Sequence, residues 1–294
     1  MLLLAGASCA PQVVDAVDVP AATGGTGATG GTEATGATAG AGDAMPGDGG
    51  APAAGGSRCA GTRSLVHRYT FDGRGTAVVD AEGGPSGAVV GATLSGNGTV
   101  TLAGRMSGQY VDLPNGILSA LDSATLEAWL TWSGGTEWQR IFDFGDDQTG
   151  VEDSQGSGST YLFLTPRITD DGGALVRVAY QRTSYPEVHL DATRTLPMGT
   201  LTHVAVTFDA QSETLAVYID GQLENALAMS SVPIRLSMLN DINNWLGRSQ
   251  YAADPDLGAT LEEFRIYARA LDATELAASF DAGPNPSCLE TPAP

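Results

Sequence analysis

The segment from Trp245 to Phe280 constrains the fold of this chain more than any other. It predicts a short strand ending at Leu246–Gly247, a polar loop, a long strand and a final helix. Two sets of residues alternate along the long strand: Leu261, Glu263, Arg265 and Tyr267 on one face, and Glu262, Phe264 and Ile266 on the other. Such period-two alternation is typical of a β-strand. Asp272 stands where the N-cap of the helix is expected, and Glu275 follows three residues later, as in a capping box.

The composition of the 294-residue chain changes near residue 57. Residues 21–57 are mostly Gly, Ala, Thr and Pro, and a segment with so little large apolar surface cannot offset the entropy cost of ordering. We therefore expect a signal or lipobox remnant at 1–9, a disordered tether at 10–57, one folded domain at 58–288 and a disordered tail at 289–294. A length of about 230 residues is common for a single β-sandwich.

The folded region predicts strands and turns until its final helix. Strands are expected at residues 64–71, 108–113, 124–132, 139–144, 159–165, 201–208 and 214–220. The last two form a hairpin, and a further tight turn is expected at Asp220–Gly221, a dipeptide that tolerates positive φ. In 124–132, bulky residues alternate on both faces, which indicates a strand that is also covered on its outer side. The predicted class is all-β.

The charge of the chain excludes several classes of partner. The formal net charge is −20, and all 14 basic residues are arginines. Nucleic acid requires a basic footprint on the protein, so we expect no nucleic-acid partner. Electrostatic docking on anionic lipid headgroups is disfavoured for the same reason. The acidic surface is typical of a solvated protein that works outside the cell, and we expect a monomer.

Three segments resemble the laminin-G-like (LamG) domains of the concanavalin A-like lectin/glucanase group. They are the opening Phe71-Asp72-Gly73, the hairpin HVAVTFD…ETLAVYIDGQ, and the closing LGRSQY and EEFRIYARAL. The resemblance covers about residues 64–280. One departure is Leu201–Thr202, where the family usually has Trp before His. The resemblance implies a two-sheet antiparallel jelly-roll β-sandwich with one short C-terminal helix, used for glycan binding or as a structural module.

Cys9 follows the apolar stretch MLLLAGAS and resembles the acylated cysteine of a bacterial lipobox. Ala7 and Ser8 fit that motif, whereas Gly6 stands where Leu is usual and no basic n-region precedes it. The alternatives are a start upstream of Met1 and a fragment of an ordinary signal peptide. A lipid on Cys9 would be the only link to a membrane, since no run of 18 apolar residues occurs.

Cys59 and Cys288 bracket the folded region. The resemblance places the first and last strands of such sandwiches side by side, which implies that these two cysteines form a disulfide. The bond would close a loop of about 230 residues and, in the chain-entropy model, contribute at most roughly 5 kcal/mol. Its persistence requires an oxidising compartment, so we expect a secreted or cell-surface protein, with an outer-membrane lipoprotein as the leading form.

The sequence offers little support for catalysis. The glucanase relatives carry two catalytic glutamates and an aspartate at alternate positions of one strand, and no such pattern occurs here. Glu262 and Glu263 are adjacent and point to opposite faces of a strand. The chain has three histidines and no G-x-S-x-G motif. We interpret His203, within a predicted strand, as a hydrogen-bonded structural residue.

Calcium is the metal that this chain could bind, because calcium prefers oxygen ligands. One predicted site pairs Asp72, after the first strand, with Glu262 in the last strand, where several relatives hold a stabilising calcium. The alternative is the acidic loop that contains the carboxylates Asp146, Asp147, Glu152 and Asp153. Polar residues satisfied by turns, or a solvated loop, would explain either group without a metal.

Glycan binding needs aromatic rings and hydrogen-bonding side chains. The candidate ligand-binding residues are Asn243, Asn244, Trp245, Arg248 and Tyr251, with Trp138 and Tyr185 at the rim. In the competing interpretation, Trp245 is a core residue and Arg248 fixes a loop. The leading hypothesis is a non-catalytic carbohydrate-binding or adhesion module displayed on the cell surface. The alternative is a structural or protein-interaction module of the envelope without sugar recognition.

Overall fold

The computed structural model describes residues 62–168, 175–229 and 234–289, all within one compact unit, Arg58–Pro294. The strands of these residues are β1 Leu65–Tyr69, β2 Arg74–Gly75, β3 Ala77–Val78, β4 Gly87–Val90, β5 Leu94–Ser95, β6 Val100–Arg105, β7 Tyr110–Leu113, β8 Ala124–Trp132, β9 Phe142–Asp147, β10 Gly158–Thr165, β11 Leu175–Gln181, β12 Val188–Thr195, β13 Leu201–Asp209, β14 Thr214–Ile219, β15 Gln222–Ala228, β16 Asn243–Leu246 and β17 Asp256–Tyr267. One α-helix, α1 Ala273–Ala282, and three 3-10 helices, Thr62–Ser64, Leu236–Met238 and Ser287–Leu289, complete the described part. The predicted all-β class is confirmed.

Two antiparallel sheets form the sandwich. The seven-stranded sheet has the order β1-β17-β8-β13-β14-β15, and β6 also pairs with β17. The eight-stranded sheet has the order β12-β11-β10-β9-β16-β7-β4-β3, and β2 pairs with β5 separately. The first long strand, β1, pairs with the last, β17, as the resemblance implied. The jelly-roll sandwich is therefore confirmed.

The hydrophobic core lies between the two sheets. Strand β8 contributes every second residue to it: Ala124, Leu126, Ala128, Leu130 and Trp132. The intervening Glu127 and Trp129 point to the outer face of the sheet and are buried as well, which confirms that this strand is covered on both sides.

The alternation predicted for β17 is interrupted by an irregularity in its pairing with β8. The register shifts between Leu261 and Glu263, which is the mark of a β-bulge. One extra residue reverses the faces that follow it. Leu261 consequently joins Phe264 and Ile266 in the main core, and does not share the outer face of Glu263 as the sequence predicted.

Helix α1 covers the outer face of the seven-stranded sheet. Asp272 is its N-cap and Glu275 completes the capping box, as predicted. The helix buries Leu276 in a second apolar cluster with Leu271 and Tyr267, on the side of the sheet opposite to the main core. This covered face explains why outward-pointing residues of β8 are buried.

On the outer face of the seven-stranded sheet, a set of polar residues together with Ser279 of α1 forms what we call the helix-side network: Arg68, Glu127, His203, Glu263, Arg265 and Ser279. Glu263 accepts hydrogen bonds from Arg68 Nε at 2.7 Å and from Arg265 Nε at 2.6 Å. Its second oxygen accepts from the backbone N–H of Asn285. All three charged side chains are almost completely buried.

Glu127 forms the other half of the helix-side network. It accepts a hydrogen bond from Ser279 Oγ at 3.0 Å and lies 3.2 Å from His203 Nε2. Arg265 Nη1 lies 3.6 Å from the same carboxylate. His203 is therefore a hydrogen-bonded structural residue, as interpreted from the sequence.

The predicted hairpin is β13–β14, which pair antiparallel in the described register. Asp220 and Gly221 connect β14 to β15 with φ of 50° and 70°, which confirms the tight turn. Sequence reasoning did not identify β4, β6, β11, β12 or β15.

Several predictions lie outside the described residues. These are the lipobox with Cys9, the tether at 10–57, Cys59 and, apart from Leu289, the tail. Cys288 lies in the 3-10 helix Ser287–Leu289, and its pairing with Cys59 stays a prediction. Among the described residues, no helix has the length and apolar character needed to cross a membrane.

Candidate functional site

The outer face of the eight-stranded sheet carries a row of paired residues across five strands. Trp245 of β16 pairs with Asp143 of β9, which pairs with Phe163 of β10. The row continues through Ala179 of β11 to His189 of β12. Paired residues of antiparallel strands point to the same face. Their neighbours in the main core point inward, so this row faces away from the core.

A concave pocket of about 230 Å³ opens on this face. We call it the aromatic pocket, and its lining residues are Trp138, Arg140, Tyr161, Phe163, Glu187, Tyr251 and Asp254. Four of the seven are aromatic, and three are charged. A mostly apolar cavity with a few placed polar groups is the usual form of a small-molecule site.

Arg140 forms part of the floor of the aromatic pocket. Its guanidinium carbon lies 3.9 Å from the ring centre of Phe163, a cation–π contact. Its Nη2 donates to Asp254 at 2.7 Å and its Nη1 to the carbonyl of Trp138 at 2.6 Å. Nε donates to Asp143 at 3.2 Å. Every nitrogen of this buried guanidinium therefore already has a partner in the protein.

Asp143 lies under Arg140 and is completely buried. Burial raises the pKa of its carboxyl to about 7, against the opposing effect of Arg140. One carboxyl oxygen accepts from Arg140 and from the backbone N–H of Gln250, and the other has no hydrogen-bond partner among the described residues. Asp143 is thus a support for Arg140 and does not reach the pocket itself.

A hydrogen-bonded chain of side chains runs along one wall of the pocket. Tyr251 Oη donates to Tyr161 Oη at 3.2 Å, and Tyr161 Oη donates to Glu187 Oε2 at 2.7 Å. The other oxygen of Glu187 lies 3.3 Å from His189 Nδ1. Burial alone would raise the pKa of Glu187, but the hydrogen bonds from His189 and Tyr161 lower it below its ordinary value. The carboxylate is therefore ionised at neutral pH.

The two tyrosine rings meet over a glycine. A Cβ on Gly158 would lie 2.7 Å from Tyr251 Cε2 and 2.9 Å from Tyr161 Cδ1. Gly158 therefore allows the rings to pack edge to face at 5.9 Å between their centres. Tyr251 is further fixed by a parallel bridge to Gly156.

Trp138 lies at the rim with a backbone φ of 64°, which is unusual for a bulky residue. Its N–H donates to the carbonyl of Arg167 and its carbonyl accepts from Arg140. Such strain costs about 1–3 kcal/mol and is concentrated at functional sites. The surrounding contacts hold the half-buried indole beside the pocket.

The structure corrects part of the predicted ligand-binding set. Asn243, Asn244 and Trp245 are completely buried, so they do not contact a ligand directly. The amides of both asparagines are used internally: Asn243 Nδ2 donates to Gln250 at 3.2 Å and Asn244 Nδ2 to the carbonyl of Pro114 at 2.8 Å. Asn243 and Trp245 are buried because the loop after β16 covers the outer face of their strand, whereas Asn244 points to the inner face with Phe144. Trp245 is buried, as in the competing interpretation, but it lies on the outer face of the sheet and not in the main core.

Arg248 also fixes loops, as that interpretation held. Its guanidinium stacks on Trp245 at 4.2 Å and on Tyr110 at 4.5 Å, and Nη2 donates to Gln155 Oε1 at 3.0 Å. It does not line the aromatic pocket. Of the predicted ligand-binding residues, only Trp138 and Tyr251 line that pocket.

Sequence reasoning missed five residues of the pocket: Arg140, Tyr161, Phe163, Glu187 and Asp254. The stretch around Tyr161 and Phe163 has bulky residues on both faces, so the sequence alone does not say which face is outward. Glu187 and Asp254 lie in separate loops that the sheet order brings together. The one available signal was the aromatic pair Tyr161 and Phe163 at a spacing of two.

Asp72 and Glu262 line a second pocket of about 390 Å³, which we call the strand-end pocket. Its other lining residues include Asn97 and Asn285, and a Cβ on Gly98 would lie 3.2 Å from Asp72 Oδ1. Carboxylate and amide oxygens are the ligands that calcium prefers. The described residues contain no group of three or more Asp, Glu, His or Cys placed to hold a metal ion. The two carboxylates thus fit calcium only with further oxygens from backbone or water.

The acidic loop is an unfavourable calcium site because donors of the protein occupy both oxygens in two of its four carboxylates, Asp146 and Asp147. Asp147 Oδ1 accepts from the N–H and the hydroxyl of Thr149, and its Oδ2 accepts from Ser154. Asp146 accepts from Thr160 at one oxygen and from Asn240 Nδ2 at the other. The first part of the predicted loop, through Asp147, belongs to β9.

Comparisons with known proteins agree on the fold. Domain 4 of AbnA, a GH43 extracellular arabinanase from Geobacillus stearothermophilus in complex with arabinotriose, is 20% identical, with a TM-score of 0.50. That match covers 73% of this chain and 97% of the domain. The CBM40 of the Ruminococcus gnavus IT-sialidase, bound to α2,3 sialyllactose, is 18% identical with a TM-score of 0.50 over 61% of this chain and 95% of the module.

A Trypanosoma rangeli sialidase is similar over 75% of this chain but only 33% of its own length, with a TM-score of 0.53 and 18% identity. Identities this low show a shared fold. No curated protein matches the chain. Residues 105–277 match the model of Laminin_G_3, which is described as the concanavalin A-like lectin/glucanases superfamily. That match spans more than half of the chain, which therefore belongs to this superfamily.

Proposed function

We propose that this protein is a non-catalytic carbohydrate-binding module whose ligand occupies the aromatic pocket. The observation that carries the proposal is the combination of aromatic walls with two carboxylates, Glu187 and Asp254, in one concave site. Sugars present apolar faces and hydroxyl edges, and such a site matches both. The likeness to the arabinotriose-bound domain and to the sialyllactose-bound module supports a carbohydrate ligand.

The small volume of the aromatic pocket indicates that it holds only a short part of a saccharide. Its volume of about 230 Å³ lies below the range of roughly 300–1,000 Å³ for drug-sized ligands. We infer that one sugar ring enters the pocket, with Trp138 and Tyr251 at its edges. The rest of a polysaccharide would lie outside.

The proposal of a non-catalytic role rests on the state of the carboxylates. A glycosidase needs one carboxylic acid that is protonated and reaches the leaving oxygen. Glu187 has a lowered pKa, and Asp254 accepts hydrogen bonds from Arg140 and Ser249. Asp143 has a raised pKa but is sealed below Arg140. No group of the pocket combines access with a held proton.

The test is a glycan array and a polysaccharide pull-down with the full chain, with and without calcium. We expect binding of at least one glycan, lowered about tenfold or more in Trp138→Ala, because tryptophan is among the residues whose truncation costs an interface most. Leu223→Ala is the matched control, because Leu223 is 52% exposed on β15 of the other sheet. Absence of binding under all conditions contradicts the function. Equal binding by Trp138→Ala places the ligand elsewhere, and release of reducing sugar overturns the non-catalytic role.

Calcium at Asp72 and Glu262 is a separate proposal with a structural role. A cation there would link the end of β1 to β17, next to the helix-side network. Calorimetric titration of calcium into the metal-free chain should release or absorb heat and raise Tm, and Glu262→Gln should weaken both effects. Absence of heat and of a Tm shift in the unaltered chain refutes this site.

We also propose display of the domain outside the cell. The chain would be anchored through a lipid on Cys9 and stapled by a disulfide between Cys59 and Cys288, with residues 10–57 as the tether. Mass spectrometry of the protein from its native membrane tests both modifications. An unmodified Cys9, or free thiols at both other cysteines, contradicts the corresponding part.

A further inference from the structure

The polar groups that line the aromatic pocket also indicate the charge of its ligand. We propose that it selects neutral sugars and rejects sugars that bear a carboxylate. This inference rests on the carbohydrate-binding function proposed above and adds the ligand class. It follows from the direction of the hydrogen bonds in the wall and from the partners of the single lining cation.

The hydrogen-bond donors of the wall point into the protein. Tyr251 donates its hydroxyl hydrogen to Tyr161, and Tyr161 donates its own to Glu187. What remains facing the cavity is the carboxylate of Glu187 and the lone pairs of the Tyr251 oxygen. These atoms accept hydrogen bonds, and sugar hydroxyls can donate to them. A ligand carboxylate is only an acceptor and finds no partner on this wall.

Arg140 is the one cation among the lining residues, and each of its three nitrogens already donates a hydrogen bond within the protein. Its three nitrogens are held by Asp143, the carbonyl of Trp138, and Asp254. Its flat face is stacked on Phe163. A ligand carboxylate could accept only from the second N–H of Nη1 or Nη2, beside the carboxylate of Asp254 that already pairs with this guanidinium.

The charges of the lining residues have a negative sum. Glu187 and Asp254 oppose the single charge of Arg140, even when Asp143 is counted as protonated. Arg177, on the neighbouring strand, is already paired with both oxygens of Asp191 at 2.6 and 2.9 Å. The net charge of −20 adds long-range repulsion of anionic sugars.

Titration calorimetry of the full chain at about pH 8, where histidine side chains are ordinarily neutral, tests the inference. The probes are matched pairs of neutral and acidic saccharides: lactose with sialyllactose, and neutral xylo-oligosaccharides with their glucuronic acid-branched forms. Arabinotriose extends the neutral set. We expect the neutral member of the pair that binds to bind about tenfold or more tightly than the acidic one, because juxtaposed like charges are strongly unfavourable.

A charge-changing variant gives a second readout. Asp254→Asn leaves Arg140 Nη2 without its carboxylate, so the ratio of neutral to acidic affinity should fall by about threefold or more. Asp281→Asn makes the same change in charge on the exposed side of α1, on the other sheet, and should leave the ratio unchanged. An equal fall in both variants would mean that general charge, and not the pocket, sets the preference.

The possible outcomes separate this inference from the function on which it rests. Neutral binding with weak acidic binding supports both. Acidic saccharides that bind as tightly as neutral ones, or more tightly, overturn the charge selection and leave carbohydrate binding intact. Absence of binding by every saccharide, of either charge, overturns the proposed function and the inference with it.

Discussion

The outer face of each sheet carries a buried arginine stacked on an aromatic ring, but the two clusters differ in what covers them. On the seven-stranded sheet, Arg265 stacks on Trp129 at 4.1 Å, and on the eight-stranded sheet Arg140 stacks on Phe163 at 3.9 Å. Both arginines are buried and paired with carboxylates. Helix α1 covers the charged cluster on the first face, whereas loops cover the second face and leave a pocket. What covers a charged cluster therefore decides whether it supports the fold or meets a ligand.

The buried acids of the two faces show the same difference. Burial alone would raise the pKa of Glu127, but the hydrogen bonds from His203 and Ser279 and the charge of Arg265 hold it below the ordinary value. Asp143 has fewer donors, and burial raises its pKa to about 7. A closed network satisfies its carboxylates, while the floor of the open pocket leaves one oxygen of Asp143 unpartnered.

The largest expected effect is the loss of Glu263 from the helix-side network. Glu263→Ala leaves Arg68 and Arg265 buried without their shared carboxylate, so the free energy of unfolding should fall by about 3–5 kcal/mol. Urea unfolding at neutral pH measures this change.

Glu213→Ala is the control for that variant. Glu213 lies 4.0 Å from Arg235, and both side chains are more than 40% exposed. Its removal should change the free energy of unfolding by less than about 1 kcal/mol. Similar losses in the two variants would remove the distinction between the covered network and the open surface.

The pH dependence of stability distinguishes the two buried acids. The folded-state pKa of Asp143 lies above its unfolded value of about 3.9, so the folded state binds more protons between about pH 4 and 7. The contribution of Asp143 to the free energy of unfolding is fully present below pH 4 and is lost as pH rises to about 7. Asp143→Asn should remove that loss, which amounts to a few kcal/mol at most.

Glu127 should act in the opposite direction. Its folded-state pKa is lowered, so its contribution is present above the unfolded value of about 4.3 and is lost as pH falls through the folded pKa. Chemical unfolding as a function of pH, with Glu127→Gln beside Asp143→Asn, measures both slopes. Slopes of the same sign would contradict the proposed difference between the faces.

A smaller effect is expected at the N-cap of α1. Asp272→Ala removes the acceptor for the N–H of Glu275, a bond of 2.9 Å, and should cost about 1 kcal/mol. Thermal unfolding should show a lowered Tm, while glycan binding at the opposite sheet stays unchanged. Altered binding would mean that the two faces are coupled through the core.

The smallest effect concerns the wall of the pocket. Tyr251→Phe keeps the ring and removes the hydroxyl that donates to Tyr161, so binding should weaken by about 0.5–1 kcal/mol. Tyr251→Ala removes the ring as well and should weaken binding more. If the two variants bind equally well, the ring contributes nothing to recognition.

The sequence predicted those features that depend on local pattern. The capping box of Asp272 and Glu275, the turn at Asp220–Gly221 and the two covered faces of β8 each follow from residues a few positions apart. The bulge of β17 was missed because one inserted residue looks like ordinary alternation until its partner strand is known.

The pocket depends on long-range order, and for that reason only part of it was predicted. Trp138 and Tyr251 were identified as exposed aromatics near loops. Glu187 and Asp254 come together only when the strand order β12-β11-β10-β9-β16 is known. Asn243 and Trp245 were misassigned because a sequence does not show that the following loop covers their strand.

The pairing of β1 with β17 has a consequence for biosynthesis. In the seven-stranded sheet, the first long strand of the domain pairs with the last strand. The ion pair between Arg68 and Glu263 joins residues 195 positions apart. Contacts of such long range form slowly, because a large loop must be ordered before they do so. A ribosome must therefore release nearly the whole domain before β1 can pair with β17. Until then the apolar strands of the nascent chain stay exposed and prone to aggregate.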